Sequence, residues 1–289
     1  MVEKTVRLWR TVFLFINSSM NSPIKKNPIG IFDSGTGGLT VANAICKLLP
    51  NEDIVYFGDI AHLPFGDKSS EAIKGYSRDI ANFLVQKKCK AIVIACNTAS
   101  AVAYNYLREK HPDLLIFNVI DPIVNAVVLS SAIKKVGVIG TNVTVESKIY
   151  ETKLLEKNPD LIIHSKATRS LVPIIEEGLH HKKHLLFALL DNYLGVSPMN
   201  EIDGLILGCT HYPIIKEEIQ HYFENKVEVF DAPSIVAKEL RKQLKLKDLL
   251  RSLEEPSDHQ FFVSDLTPAF GEMTALFFGQ AVKLKKQIL

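Results

Sequence analysis

The chain has 289 residues, of which 47% are hydrophobic and 23% are charged, and its formal net charge is +2. This length suits two domains of roughly 150 residues, and the dispersed, nearly balanced charges give no electrostatic basis for nucleic-acid binding. The four cysteines form no Cys-x-x-Cys pair and no secretory signal is recognisable, so we expect a cytoplasmic protein with reduced thiols.

Residues 1–27 are predicted to be an N-terminal extension without an assigned function. The apolar run Val12–Ile16 is too short for the hydrophobic region of a signal peptide and far too short to span a membrane. Met20 lies just before the first strand pattern, so residues 1–19 are either an upstream start or a variable arm. We therefore expect no association with a membrane.

The first half of the chain alternates short apolar strands with helices. The strands are predicted at Pro28–Phe32, Asp53–Phe57, Ala91–Ala95 and Leu115–Val119. This alternation predicts a doubly wound parallel sheet. The glycine-rich loop at residues 33–38 offers backbone N–H groups to an anion, but it lacks the spacing of a P-loop or of a dinucleotide-binding loop. A small carboxylate would suit this loop as well as a phosphate.

After Asp121-Pro122 the pattern restarts, with a strand at Lys135–Thr141 that resembles the first strand. Further strands are predicted at Leu161–His164, Gly204–Leu207, Val227–Phe230 and Phe261–Val263. Gly30 precedes Gly137 by 107 positions, and Cys96 precedes Cys209 by 113 positions. Similar offsets for two separate landmarks favour an internal duplication over chance recurrence of the same pattern.

We therefore predict an α/β fold made of two similar doubly wound parallel-sheet domains. A pseudo-two-fold axis would relate them, with the active site between them. The first domain is predicted to comprise residues 28–121 and 232–289, and the second residues 122–231.

Two cysteines, Cys96 and Cys209, each stand where a buried apolar strand ends. Ligands of open α/β sheets bind at the carboxyl ends of the strands. A thiolate can remove a proton from a carbon acid, and a thiol on the opposite face can return one, so a facing pair would invert a stereocentre. A helix that starts directly after each cysteine would supply donors that favour the thiolate.

Polar residues follow each of these cysteines and could hold a carboxylate and an amino group without a metal. They are Asn97 and Thr98 in the first half, and Thr210 and His211 in the second. No spacing typical of metal ligands is present, and no lysine is singled out for a pyridoxal cofactor. We therefore expect neither a metal nor a cofactor. Cys46 and Cys89 lie in helix-like surroundings and are expected to be inert.

Five motifs, in order from about residue 28 to the C-terminus, closely resemble the glutamate racemase family of cofactor-independent enzymes. The motifs are Ile29–Val41, Tyr56–Asp59, Ile94–Ser100, Gly137–Thr141 and Leu207–Pro213. The resemblance implies racemisation of glutamate between two α/β domains, which supplies D-glutamate for bacterial peptidoglycan. It also implies a homodimer and, in some members, activation by a nucleotide-linked cell-wall precursor.

The resemblance implies a role for each matching residue. Cys96 would deprotonate D-glutamate and Cys209 would deprotonate L-glutamate. Further catalytic groups would be Asp33 near the first thiol, His211 beside the second, and Glu176. Asp33 and His211 could alternatively be ordinary capping residues, and Glu176 an ordinary surface-helix residue. The residues implied to contact substrate are Asp33, Ser34, Phe65, Gly66, Asn97, Thr98, Thr141, Thr144, Thr210 and His211.

The chain departs from the family pattern at three places. Phe65 replaces the usual tyrosine, His62 stands where arginine is common, and Thr168-Arg169 stands where the family usually continues from alanine with Cys-Pro. We expect these changes to affect rate and inhibitor sensitivity rather than reaction type. Two alternatives remain open: a racemase for aspartate or another small amino acid, and a non-catalytic relative that acts as a regulator.

Overall fold

The computed structural model describes residues 23–251, 257–266 and 268–289. Residues 1–22 of the predicted N-terminal extension lie outside these ranges, so the role of that segment stays a prediction. Within the described residues, no helix combines the length and the apolar composition that a membrane crossing requires.

The described residues form ten strands and eleven α-helices. The strands are β1 Ile29–Asp33, β2 Ile54–Gly58, β3 Ala91–Ile94, β4 Leu115–Asn118, β5 Lys135–Gly140, β6 Ile162–Ala167, β7 Gly204–Gly208, β8 Glu228–Phe230, β9 Gln260–Val263 and β10 Leu284–Lys286. The helices are α1 Leu39–Leu48, α2 Ser70–Gln86, α3 Asn97–Lys110, α4 Ile120–Leu129, α5 Asn142–Glu146, α6 Ile149–Lys157, α7 Leu171–Glu176, α8 Lys183–Leu194, α9 Lys216–Tyr222, α10 Ala232–Leu246 and α11 Pro268–Phe278.

Two all-parallel sheets confirm the predicted fold class of two α/β domains. The larger sheet has the strand order β10-β9-β2-β1-β3-β4, and the smaller has the order β6-β5-β7-β8. The order β2-β1-β3-β4 in one sheet matches β6-β5-β7-β8 in the other, so β1 corresponds to β5 and β3 corresponds to β7. This repeated order supports the internal duplication.

The central strands are buried along their length, as parallel strands covered on both faces should be. Every residue of β1, β3 and β7 is buried. Helix α10 returns from the second half of the chain to pack against α1. The site residues that follow β1, β3 and β7 are therefore attached to fully buried strands.

Helix α4 is an element that the sequence analysis did not predict, because Asp121-Pro122 was interpreted as a break. Pro122 instead lies in the first turn of the helix, where a missing N–H costs no hydrogen bond. Helix α4 packs against both α10 and α6. The predicted domain boundary after residue 121 falls inside this helix, and the exact boundaries stay a prediction.

Candidate active site

A cavity of about 360 Å³ lies at the carboxyl ends of the strands, between the two sheets. Most of the predicted site residues line it: Ser34, Phe65, Gly66, Cys96, Asn97, Thr98, Thr141, Glu176, Cys209, Thr210 and His211. The two predicted residues that do not line the cavity, Asp33 and Thr144, are buried directly behind it. Each of these two contacts a lining residue through a hydrogen bond.

Cys96 connects β3 to α3 and is the N-cap residue of that helix. Its sulfur accepts a hydrogen bond from the Ala99 N–H at 3.4 Å, and its S–H donates to the Ser34 hydroxyl at 3.6 Å. The predicted helix directly after this cysteine is thus confirmed. Burial, reinforced by the nearby Asp33 carboxylate, raises the pKa of Cys96 to about 12. Without ligand, Cys96 is therefore a protonated thiol at neutral pH.

Asp33 ends β1 and is completely buried. One carboxylate oxygen accepts hydrogen bonds from the backbone N–H groups of Gly35 and Gly38, both at 3.0 Å. The other accepts from the Thr210 hydroxyl at 3.5 Å. Burial raises the pKa of Asp33 above its usual value, although the His211 charge and these N–H groups oppose the shift. Asp33 therefore both caps the glycine loop and joins the two halves of the site.

Cys209 follows β7, but the turn after it differs from the turn after Cys96. A 3₁₀ turn, Tyr212–Ile215, precedes α9, and no backbone N–H is bonded to the Cys209 sulfur among the described residues. The expectation that a helix start supplies donors to both thiols is therefore wrong for Cys209. Instead, the His211 imidazole is the hydrogen-bond partner of the Cys209 sulfur, with its Nδ1 atom 3.7 Å away.

His211 links Cys209 to the carboxylate of Glu176. Its Nε2 atom lies 2.9 Å from a carboxylate oxygen of Glu176, the last residue of α7. Burial alone would lower the pKa of His211, but its hydrogen bonds to Cys209 and Glu176 raise it to about 10. The imidazole is therefore cationic at neutral pH, and a cation at this position stabilises a thiolate.

A glycine of the first half makes the approach to His211 possible. A Cβ atom on Gly37 would lie 2.6 Å from the Nδ1 and Cε1 atoms of His211 and 2.6 Å from the Thr210 hydroxyl. Such a separation is well inside van der Waals contact. The loop after β1 can therefore pack against the second half only because residue 37 has no side chain.

Asn97 is 2% exposed and has one amide atom without a partner. Its Oδ1 atom accepts a hydrogen bond from the Tyr150 hydroxyl at 2.6 Å, whereas its Nδ2 atom has no hydrogen-bond partner among the described residues. A buried donor without a partner is uncommon and calls for an acceptor. Tyr150, a buried residue of α6, was not predicted as a site residue, because nothing in its local sequence distinguishes it from a core tyrosine.

Three threonine hydroxyls meet across the cavity. The Thr98 hydroxyl lies 2.8 Å from that of Thr141 and 3.3 Å from that of Thr144, and the latter two are 3.0 Å apart. Thr98 belongs to α3, whereas Thr141 caps α5. These hydroxyls bond to one another without ligand, and those of Thr98 and Thr141, which line the cavity, can turn to a polar ligand atom.

Sequence reasoning missed several residues of the cavity wall. They are Leu63, Pro64, Asp67, Asn142, Thr168, Arg169, Val172, Pro173, Gly208 and Tyr212. Thr168 and Arg169 were noted only as departures from a family pattern. Gly208 and Tyr212 lie within the motif Leu207–Pro213 but were given no role. The others gave no local signal, because only the fold brings them to the cavity.

Three other residues discussed above do not line the cavity, namely Cys46, Cys89 and His62. Burial raises the pKa of Cys46 and of Cys89 to about 12, as expected for inert thiols. His62 bonds to the carboxylate of Asp59 at 2.9 Å and stacks on Tyr76 with ring centroids 4.0 Å apart. No group of three or more His, Cys, Asp or Glu side chains in the described part of the chain is arranged to hold a metal ion.

The arrangement combines two thiols at equivalent strand ends with polar donors in one small cavity. One thiol has a cationic imidazole beside it, and the other has a buried carboxyl group nearby. Such a site can remove a proton from a carbon atom on one face and deliver one on the other. The neutral donors around the thiols can hold a carboxylate during that exchange.

Comparison with known proteins gives a consistent assignment. Residues 40–240 match the Asp/Glu/hydantoin racemase family. A glutamate racemase from Neisseria meningitidis serogroup C is 37% identical over 260 residues, which are 90% of this chain and 95% of that protein. The crystal structure of glutamate racemase from Francisella tularensis in complex with D-glutamate has a TM-score of 0.85 and 36% identity, and the match covers 91% of this chain and 98% of that one.

A more distant structure contains two ligands. The Escherichia coli glutamate racemase, in complex with L-glutamate and the activator UDP-MurNAc-Ala, has a TM-score of 0.73 and 26% identity. The match covers 91% of this chain and 98% of that one.

Proposed function

This chain belongs to the Asp/Glu/hydantoin racemase family and is an amino-acid racemase, and we propose that it interconverts L- and D-glutamate without a cofactor through the thiols of Cys96 and Cys209. The observation that carries the proposal is the position of both thiols in one cavity, at the ends of the equivalent strands β3 and β7. The glutamate racemases that match nearly the whole chain support glutamate as the substrate.

For L-glutamate, the Cys209 thiolate removes the Cα proton and becomes a thiol. The electron pair left on Cα spreads into the α-carboxylate. The Cys96 thiol then donates its proton to the opposite face of Cα, which forms the new C–H bond of D-glutamate and leaves a Cys96 thiolate. D-glutamate reacts through the same steps in reverse, starting from the Cys96 thiolate. One turnover of L-glutamate leaves Cys209 protonated and Cys96 deprotonated, so Cys209 must release a proton to solvent and Cys96 must take one up before the next L-glutamate reacts.

The charges around the thiols support this division of roles. His211, cationic because its pKa is raised to about 10, stabilises the thiolate of Cys209, and Glu176 holds the imidazole in place. Cys96, with its pKa raised to about 12, keeps the proton that it must donate. These charges fit Cys209 as the base and Cys96 as the acid in the reaction of L-glutamate.

The unpartnered Nδ2 atom of Asn97 supports a binding role for the polar residues near the thiols. We propose that Asn97, Thr98 and Thr210 hold the α-carboxylate, where they also stabilise the charge that develops on it. The remaining proposed contacts are Asp33, Ser34, Phe65, Gly66, Thr141, Thr144 and His211.

The proposed cellular role is the supply of D-glutamate for peptidoglycan synthesis in the cytoplasm. Activation by a nucleotide-linked cell-wall precursor is proposed by analogy with the Escherichia coli relative, whose structure contains such an activator. A homodimer stays a prediction.

Circular dichroism of separate L-glutamate and D-glutamate solutions tests the reaction directly. Both enantiomers should reach the same racemic end point with the wild-type protein, and Cys96→Ser and Cys209→Ser should each be severely impaired. Activity with aspartate alone would retain the reaction type and change the substrate. If no amino acid racemises or exchanges its Cα hydrogen, with or without a cell-wall precursor, the proposal fails and a regulatory role takes its place.

A further inference from the structure

Arg169 is the only lysine or arginine among the described residues that line the cavity. The other cationic group of the wall, His211, is already bonded to Cys209 and Glu176. Arg169 follows β6, and the proposed proton transfers do not use it. The cavity therefore contains one permanent positive charge without an assigned role.

A pair of hydrogen bonds holds Arg169 at the cavity. Its Nε–H donates to the side-chain Oδ1 atom of Asn142 at 2.7 Å, and the side-chain Nδ2 atom of Asn142 donates to a carboxylate oxygen of Asp67 at 3.3 Å. All three residues line the cavity. The terminal guanidinium nitrogens make no other hydrogen bond or ion pair within the part of the chain that the structure describes. Because Arg169 is exposed, its charge is not needed to stabilise the core.

These two hydrogen bonds form a bridge through Asn142 that connects Arg169 with the loop that carries Phe65 and Gly66. A Cβ atom on Gly66 would lie 2.8 Å from the Cβ atom of Thr141, so this loop also packs tightly against the second domain. The proposed α-carboxylate donors, by contrast, adjoin the two thiols. The cavity thus has neutral donors beside the two thiols and a cation at the part of its wall where the segment after β6 is linked to this loop through Asn142.

We propose that Arg169 binds the side-chain carboxylate of the substrate, and that Asn142 is a positioning residue that orients its guanidinium group. The proposal rests on the proposed glutamate racemisation and deepens it, because it identifies what selects an acidic amino acid over a neutral one. A guanidinium group binds a carboxylate through two parallel hydrogen bonds, a geometry that a lysine cannot reproduce.

The test compares the binding of L-glutamate and L-glutamine by calorimetry. Glutamine has the same shape but lacks the side-chain charge. Arg169→Gln should weaken glutamate binding about tenfold, as expected for the loss of a charge-assisted hydrogen bond, and should leave glutamine binding within about twofold. In racemisation assays, KM should rise with kcat nearly unchanged, and Arg169→Lys should be intermediate.

Arg78→Gln is the matched control, because Arg78 is an exposed arginine of α2 outside the cavity and its loss changes the net charge equally. This variant should behave as wild type. Asn142→Ala should raise KM by a smaller factor, and it should have no further effect in the Arg169→Gln background, since Asn142 acts through Arg169.

Equal losses for glutamate and glutamine would overturn the assignment, because a group that only bridges the two domains does not distinguish a carboxylate from an amide. Unchanged glutamate affinity in Arg169→Gln would overturn it too. A wild-type protein that binds glutamate but does not exchange its Cα hydrogen would refute the proposed racemisation alone, since the binding comparison stays valid. A wild-type protein that binds neither amino acid would refute both.

Discussion

Cys96 and Cys209 follow equivalent strands of the two domains, yet the groups around the two sulfur atoms carry opposite charge. The Cys96 sulfur has a helix N–H, a hydroxyl group and the buried Asp33 carboxyl group nearby. The Cys209 sulfur has the cationic His211 imidazole, supported by Glu176. The duplicated fold sets where the two thiols stand, whereas neighbouring side chains give each thiol its own electrostatic surroundings.

Replacing one thiol at a time is the strongest test of the different roles of Cys96 and Cys209. Cys96→Ser and Cys209→Ser should each lower racemisation by roughly 10²–10⁴-fold, the usual contribution of a general acid or base. In deuterium oxide, Cys209→Ser should still exchange the Cα hydrogen of D-glutamate, and Cys96→Ser that of L-glutamate, each without inversion. Proton NMR measures this exchange. A variant that exchanges both enantiomers equally would contradict the assignment of one face to each thiol.

Gly37→Ala should disturb the Cys209 side without altering either thiol. The added Cβ atom would lie 2.6 Å from the His211 ring and displace it. Overpacking of this kind costs about 1–3 kcal/mol, so we expect kcat/KM to fall roughly tenfold to a hundredfold. Gly75→Ala is the control, since no atom lies within 4 Å of a Cβ added there. Equal effects of the two substitutions would show that the contact with His211 is unimportant.

Tyr150→Phe should weaken binding by removing the donor that fixes the Asn97 amide. Without the 2.6 Å hydrogen bond, the amide can rotate and present either atom to the substrate. We expect KM to rise about tenfold, as for the loss of one hydrogen bond to a buried group, with a smaller change in kcat. The same substitution in an Asn97→Ala background should then have no further effect on KM. An additional loss there would mean that Tyr150 acts by another route.

Glu176→Gln should produce the smallest effect and shift a pH profile. His211 loses a charged hydrogen-bond partner, so its raised pKa of about 10 should fall. The imidazolium beside Cys209 is present below that pKa and is lost as the pH rises through it. The high-pH decline of L-glutamate turnover should therefore begin at lower pH, with a rate reduction of a few-fold near neutrality. As a control, Glu176→Gln should be added to Cys209→Ser, in which only Cys96 can exchange the Cα hydrogen of D-glutamate. The pH dependence of that exchange should be the same with and without Glu176→Gln.

The parts of the molecule that were predictable from sequence are those with strong local patterns. Strands β1, β3, β5 and β7 are apolar runs bounded by polar residues, because both faces of a parallel sheet are covered. For the same reason, Cys96 and Cys209 could be placed at the carboxyl ends of β3 and β7. Catalytic roles for Glu176 and His211 were expected only from family resemblance, and their pairing was not predicted, because residues on separate elements carry no shared period.

What could not be predicted depends on contacts between distant segments. The hydrogen bond from Tyr150 to Asn97 and the bridge from Arg169 to Asn142 join different elements, so neither leaves a trace in local composition. Helix α4 was missed because a proline in a first helical turn looks like a break when the helix that follows has no further signal. The helix expected directly after Cys209 is instead a 3₁₀ turn, and the donor is a side chain.

The protonated state of Cys96 also determines how the protein withstands oxidants. Peroxides and alkylating reagents attack the thiolate rather than the thiol. A buried cysteine with a pKa of about 12 offers almost no thiolate at neutral pH. In the proposed mechanism, its reactive form arises when Cys96 donates its proton to Cα and lasts until Cys96 is protonated again. The protein thus carries a thiol for acid–base catalysis that resists these reagents while it is protonated.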